Sequence, residues 1–304
     1  SQSATPGTVL EEVTVTAPRS PAEPRLDGAA GGTAIVTSRD LPATTNLTLS
    51  RALAGVPGVV VQDFFGANDQ PRVQIRGSGL QQNPVERGVL MLRNGLPLNR
   101  ADGSYVVGFA DPGAAGAVEV YRGYMANRLG ATVLGGALNL ISPTGHDAPG
   151  VELGAGGGSF GQRDLSVRYG HERARFDTLL HGDFNDREGY RAYNASRRAS
   201  IGGNVGTRVS DTLTVRFFAS FADLAFDVAG PLTRDALERN PRGVFTGPTV
   251  TPMGAINPGP NVVRDRPYRE ASQLQAGARA TQTFGAHIVD LAVGHARTDD
   301  HFNF

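Results

Sequence analysis

The sequence predicts an α+β domain followed by antiparallel strands of the transmembrane β-barrel type. Three observations carry that prediction. Between residues 73 and 142 lie three short apolar runs punctuated by glycine: VQIRGSG (73–79), VEVYRG (118–123) and LGGALNLIS (134–142). After Pro149 the texture changes to segments of about ten residues in which apolar and polar side chains alternate, the length and period of a tilted strand crossing a bilayer. The connections between those segments alternate between short and long, as expected when one rim of a barrel has tight turns and the other has loops.

Composition narrows the classes. The 304 residues hold 29 basic and 29 acidic side chains, 40 glycines, 19 prolines, no cysteine and no tryptophan. A balanced charge argues against a nucleic-acid partner, which calls for a basic excess. Without cysteine there are no disulfides, thiolate metal sites or cysteine nucleophiles. No apolar run approaches the ~18 residues of a membrane helix. The N-terminus has no signal-peptide pattern, and the chain starts at Ser1 as a processed product would.

Taken in order, residues 1–24 form a polar, proline-bearing tail with too little apolar surface to offset ordering. One island interrupts it, LEEVTVTAP (10–18), where Val13 and Val15 alternate with Thr14 and Thr16. Such a segment can add as an edge strand to a partner's sheet. Next, 33–37 reads as a strand. Residues 47–53 read as a short helix on the spacing of Leu47, Leu49 and Leu53, stopped by Val56-Pro57-Gly58. Strands follow at 59–62 and 72–76 around a loop at 64–70. A buried strand at 89–92 turns at Asn94-Gly95, a hairpin signal. Residues 97–105 form a polar loop and 111–117 a turn or short helix. Strands at 118–121 and 138–141 close the domain.

Beyond it, 162–171 sets Leu165, Val167 and Tyr169 opposite Asp164, Ser166 and Arg168. Leu213, Val215, Phe217, Ala219 and Phe221 share one face, and His287, Val289, Leu291 and Val293 repeat the pattern. Short turns fall at 172–174, 209–211 and 284–286; long polar connections fall at 185–196 and 225–267. Segregated loop lengths favour a barrel over a soluble sandwich.

The order LAGVPGV (53–59), VQIRGSG, NGLPLNRADG (94–103), GAVEVYRG (116–123) and RLGATVLGGALNLIS (128–142) resembles the plug domain of TonB-dependent outer-membrane receptors. Two departures affect turns: Asn94-Gly95 stands where many relatives have Asp-Gly, and Tyr124 where they often have Pro. The resemblance implies a tail at 1–24 with a TonB box at 10–17, a plug at 25–147, and the first strands of a 22-stranded-type barrel at 148–304. About 155 residues after the plug suffice for roughly seven strands, too few to close round it. The expectation is therefore the front of a longer chain, with the aromatic ending His301–Phe304 a coincidence.

The resemblance also implies roles. TonB would pair with Leu10, Glu11, Glu12, Val13, Thr14, Val15, Thr16 and Ala17. Substrate would meet Gln81, Gln82, Asn83, Asn99, Arg100, Asp102, Ser104 and Tyr105, whose amide, hydroxyl, aromatic and guanidinium groups suit a polar or anionic chelate. Arg76, Glu119 and Arg122 would ion-pair the plug to the barrel wall. The implied activity is TonB-coupled uptake of a scarce nutrient, a ferric siderophore or other metal chelate, with outer-membrane lipid around the wall. A passive porin or adhesin barrel and a secreted all-β carbohydrate-binding protein are the alternatives. No catalytic constellation, resident cofactor or metal site is expected: there is no Gly-Lys-Ser/Thr loop, no His-Glu-x-x-His and no nucleophile elbow, and the six histidines are scattered.

Overall fold

The computed structural model describes residues 32–304, apart from 39, 42, 43, 64–70, 79–86, 130–134, 257, 258 and 304. The segment at 10–17 and the residues Gln81, Gln82 and Asn83 lie outside the described residues.

The first domain is a mixed sheet of β1 (Thr33–Thr37), β4 (Val89–Arg93), β5 (Leu96–Pro97), β6 (Ala117–Arg122) and β7 (Gly136–Ile141), in the order β1-β6-β7-β4-β5. Only β4 and β7 run parallel. A separate antiparallel pair, β2 (Val59–Gln62) and β3 (Arg72–Ile75), lies beside it. The sheet is covered on both faces, so β4 reads VLML without a polar gap and all four residues are buried. One face packs Val89, Met91, Val118, Val120, Leu138 and Leu140 on Leu49, Leu53, Ile75 and Val107. The other packs Leu90, Leu92, Tyr121, Ala126 and Ala137.

The helix spans Leu49–Leu53, two residues shorter than the leucine spacing suggests. Thr48 is its N-cap: its hydroxyl accepts from the amide of Arg51, so Leu47 stays outside. Asn94 and Gly95 both take positive φ, 52° and 77°, which is the two-residue turn their sequence predicts between β4 and β5. The expected helical turn lies earlier, as a 3-10 segment at Val107–Phe109, and a second one at Gly123–Leu129 has no periodic signal in the sequence.

The second region is one antiparallel sheet of seven strands: β8 (Gly150–Gly157), β9 (Arg163–Arg173), β10 (Phe176–Arg187), β11 (Ser196–Arg208), β12 (Leu213–Asp227), and β15 (Tyr268–Phe284) and β16 (His287–Asn303). A small hairpin, β13 (Thr249–Thr251) and β14 (Gly254–Ile256), sits in the long connection before β15 together with two short helices, Arg234–Arg239 and Val262–Asp265. That connection, expected to be an open polar loop, is thus built in part from regular elements.

Polarity across this sheet is inverted relative to a soluble protein. Leu165, Val167, Leu180, Ile201, Phe217, Phe221, Leu274 and Leu291 are exposed, while Asp164, Asn185, Arg198, Asn204, Gln273 and Gln275 are buried. Apolar-out and polar-in is the signature of a barrel wall with lipid on its outer face. The first domain lies against the inner, polar face. Among the described residues no helix is long and apolar enough to cross a membrane.

Candidate functional site

The chemistry of this chain concentrates where the first domain meets the inner face of the wall, and on the loop at 98–105. That loop is built from its own polar side chains. Asn99 accepts from the Met91 amide at 2.7 Å and donates to the carbonyls of Val89 and Gly103 at 3.1 and 3.0 Å. Asp102 accepts from the Ser104 amide and hydroxyl at 3.0 and 2.6 Å and from Arg87 at 2.8 Å. These Ser104 and Arg87 hydrogen bonds hold the Asp102 carboxyl well below the usual carboxylate range.

Ser104 and Tyr105 are buried. So Asn99, Ser104 and Tyr105 support the loop, while Arg100 and Asp102 keep exposed surface. Arg100 reaches across to Asp300 on β16, and Asp300 also takes both forks of Arg269 on β15 at 2.9 Å. Nε of Arg100 is buried without a hydrogen-bond partner.

The three charges expected to pair with the wall are spent inside the first domain. Glu119 is fully buried and accepts from the Tyr121 hydroxyl at 2.9 Å and the Asn139 amide at 2.8 Å. Arg122 donates to the carbonyls of Gly32, Pro57 and Thr33 at 3.0, 2.7 and 2.9 Å, fastening β1 and the β2 turn to β6. The Arg76 guanidinium lies against Gly32 and Gly123. The reason is that β6 is an interior strand, with no open side from which Glu119 could reach the wall.

Asn139 is the hub here, because its oxygen also accepts from the Gly95 amide at 2.9 Å. Asn139→Leu removes a donor from a buried carboxylate and an acceptor from a turn amide. It should destabilise the domain by about 2–3 kcal/mol. Urea unfolding of the purified protein, followed by proteolysis of this domain, reads the effect; an unchanged midpoint would remove Asn139 from the hub.

The contacts that do join domain and wall come from other residues. Arg93 donates to the Ser220 hydroxyl on β12 at 2.6 Å and to the Phe109 carbonyl at 2.7 Å. Burial pulls the Arg93 guanidinium down to about 10, which leaves it charged at neutral pH. Arg198 on β11 lies between two carboxylates, Asp111 of the domain at 3.1 Å and Asp183 of β10 at 2.8 Å, and donates to the Gly108 carbonyl at 3.0 Å. Burial alone would raise the Asp111 carboxyl; Arg198 and the Gly113 amide outweigh it and hold it below the usual range.

Further ties are neutral or single. Gln273 and Gln275 donate to the carbonyls of Leu98, Leu96 and Pro97, and Arg279 donates to that of Asn94 at 2.6 Å. Asn204 donates to the Pro143 carbonyl at 2.9 Å. Leu96 fits a notch made by Gly277 and Gly294, which face each other across β15 and β16. Val106 and Phe109 pack on Leu224, Phe226 and Val228. The sequence does hold a signal for the wall residues. Arg198 and Asp183 share their strand parity with buried polar neighbours, which marks them as inward-facing charges.

Comparison with known proteins agrees with this arrangement. Residues 25–137 match the TonB-dependent Receptor Plug Domain family. The vitamin B12 transporter BtuB of Vibrio vulnificus is 27% identical over 159 residues, 52% of this chain and 25% of that protein. Among solved structures, the unliganded ferric citrate transporter FecA superposes over 91% of this chain and 41% of its own, with a TM-score of 0.69 at 16% identity. The closed form of the ferric-catecholate import receptor Fiu from E. coli K12 covers 90% of this chain and 38% of its own, with a TM-score of 0.67 at 14% identity. The chain thus spans a quarter of that curated relative and about two fifths of those structures. Residues 25–137 are thus a plug domain of the TonB-dependent receptor type, and the strands that follow fold as the barrel walls of those solved structures do.

Proposed function

We propose that the protein serves energised uptake of a scarce nutrient, a ferric siderophore or other metal chelate, across the outer membrane. The supporting observation is a folded domain fastened to the inner face of the wall by polar ties that span the sheet from β9 to β16. A barrel filled this way does not conduct a large solute until the filling moves, and moving it takes work. TonB would supply that work by pairing as an added strand with residues 10–17, drawing on the proton gradient of the inner membrane. Arg100, Asp102 and the loop at 79–87 would meet the cargo from outside. An iron chelate is favoured by the named cargo of the solved neighbours, ferric citrate and ferric catecholate.

The test is uptake by cells whose only route is the full-length receptor, using radiolabelled ferric citrate, a ferric catecholate and cobalamin. The expected result is saturable uptake of one of them, abolished when TonB is deleted. Uptake that is linear in concentration and indifferent to TonB would overturn the reading in favour of a passive pore.

A further inference from the structure

We propose that Asp183 sets how easily the plug leaves the wall, by competing with Asp111 for a single guanidinium. The structure places Asp111, on the plug, and Asp183, on the wall, on either side of Arg198. The two contacts are unequal. Asp183 receives a proper hydrogen bond from Nη1 at 2.8 Å. Asp111 lies 3.1 Å from Nη2, which makes no hydrogen bond of acceptable geometry. The wall carboxylate therefore holds the stronger claim on the shared cation. The two like charges also repel each other across it.

The consequence is visible when the plug and wall are separated in thought. Arg198 and Asp183 sit on adjacent strands and stay paired, with Ser200 still donating to Asp183. Asp111 leaves with Arg93 as its neighbouring cation and with the Gly113 amide still donating to it at 2.9 Å. Neither side is left with an orphaned charge, the usual reason a buried ion pair is costly to open. Among the described residues, the other charged or titratable groups facing the cluster are His181 on β10, Arg168 on β9 and Glu152 on β8, the last two paired with each other at 3.2 Å. A cavity of about 90 Å³ lined by Asp111, His181, Asp183 and Arg198 gives water access to the same charges as the contact opens. Asp183 is thus a positioning residue: it holds Arg198 in place and at the same time weakens its grip on the plug.

The inference rests on the reading of the first domain as a plug that has to move, and the test needs neither ligand nor TonB. Hydrogen exchange is followed at residues 107–111 in the full-length receptor, with 196–208 as the internal reference for the wall. Asp111→Asn and Arg198→Gln should speed exchange at 107–111 by about tenfold. Asp183→Asn should slow it by about tenfold, because Arg198 is then left to Asp111 alone. The double variant Asp111→Asn/Asp183→Asn should match Asp111→Asn, since the competition has lost its object. Exchange in Asp183→Asn that is unchanged or faster overturns the proposal, as does slowing that persists in the double variant. If 196–208 loses protection in Asp183→Asn, Asp183→Ser repeats the test with a hydroxyl kept beside Ser200. An uptake failure would leave these exchange results standing, and the reverse also holds.

Discussion

Gly136→Ala is expected to leave the plug unfolded inside an otherwise normal wall. Gly136 opens β7, the strand held between β4 and β6, with φ at 149°. A Cβ there would lie 2.2 Å from the carbonyl oxygen of Tyr121 and 3.2 Å from both the Arg122 Cα and the Ile75 Cγ2. The first two are backbone atoms of the paired strand, so no rotamer relieves the clash. The sheet would have to part between β6 and β7, with the buried Tyr121, Ala137 and Leu138 losing their packing. A loss of about 4 kcal/mol or more follows from backbone collision combined with core disruption. Gly103→Ala is the matched control. Its φ is also positive, at 82°, but nothing lies within 4 Å of the added carbon, so the cost is only the conformational one of about 1 kcal/mol. Limited proteolysis in isolated outer membranes distinguishes the two: rapid cleavage within 33–141 for Gly136→Ala and near-native resistance for Gly103→Ala. Native resistance in both would show that β7 is not pinned as described.

The second large effect belongs to the coupling proposal. Val13→Pro should reduce uptake to background while leaving ligand binding at the cell surface unchanged. Proline removes one backbone donor and fixes φ, which a ladder of added-strand hydrogen bonds tolerates only at positions facing away from the partner. Because donors alternate along a strand, Val13 and Val15 test one phase and Thr14 the other. A strand at residues 10–17 therefore requires that at least one of Val13→Pro and Thr14→Pro abolish transport. Binding that falls together with uptake would indicate a damaged plug. Full transport in both variants would exclude this segment as the handle.

Much of the architecture can be read from residue order because two periodicities are strong. Glycine-punctuated apolar runs mark strands of the first domain, and β3, β6 and β7 fall where those runs lie. Alternation at period two then marks the wall, and the outward set Leu165, Val167 and Phe217 is exposed. What sequence does not carry is the identity of the partner. Glu119 alternates with Val118 and Val120, and this parity puts it on the opposite face; it does not say that Tyr121, Ala137 and Leu90 close that face too. The expectation that Glu119 would meet the wall fails for that reason; Arg122, at the end of β6, is instead taken up by the carbonyls of Gly32, Thr33 and Pro57. Conversely, the parity of Arg198 marks it as inward-facing, but Asp111 is 87 positions upstream and no local pattern connects them. The 3-10 turn at Gly123–Leu129 is hidden for a simpler reason: three-residue turns are held by local hydrogen bonds and have no amphipathic stripe.

The notch that receives Leu96 has a consequence for the order of assembly. Its two glycines, the glutamines beside it and Asp300 belong to the last two strands of the sheet, and the ties they make to the 94–100 region span 175 to 200 positions of chain. Contacts of such separation form late, because the intervening chain must be ordered first. The plug precedes these strands in the chain, yet this flank of it finds its seat only after β15 and β16 are in place. Until then its polar underside has no partner on that flank. Whatever escorts the unfinished chain has to shield that flank until the last of these strands is laid down.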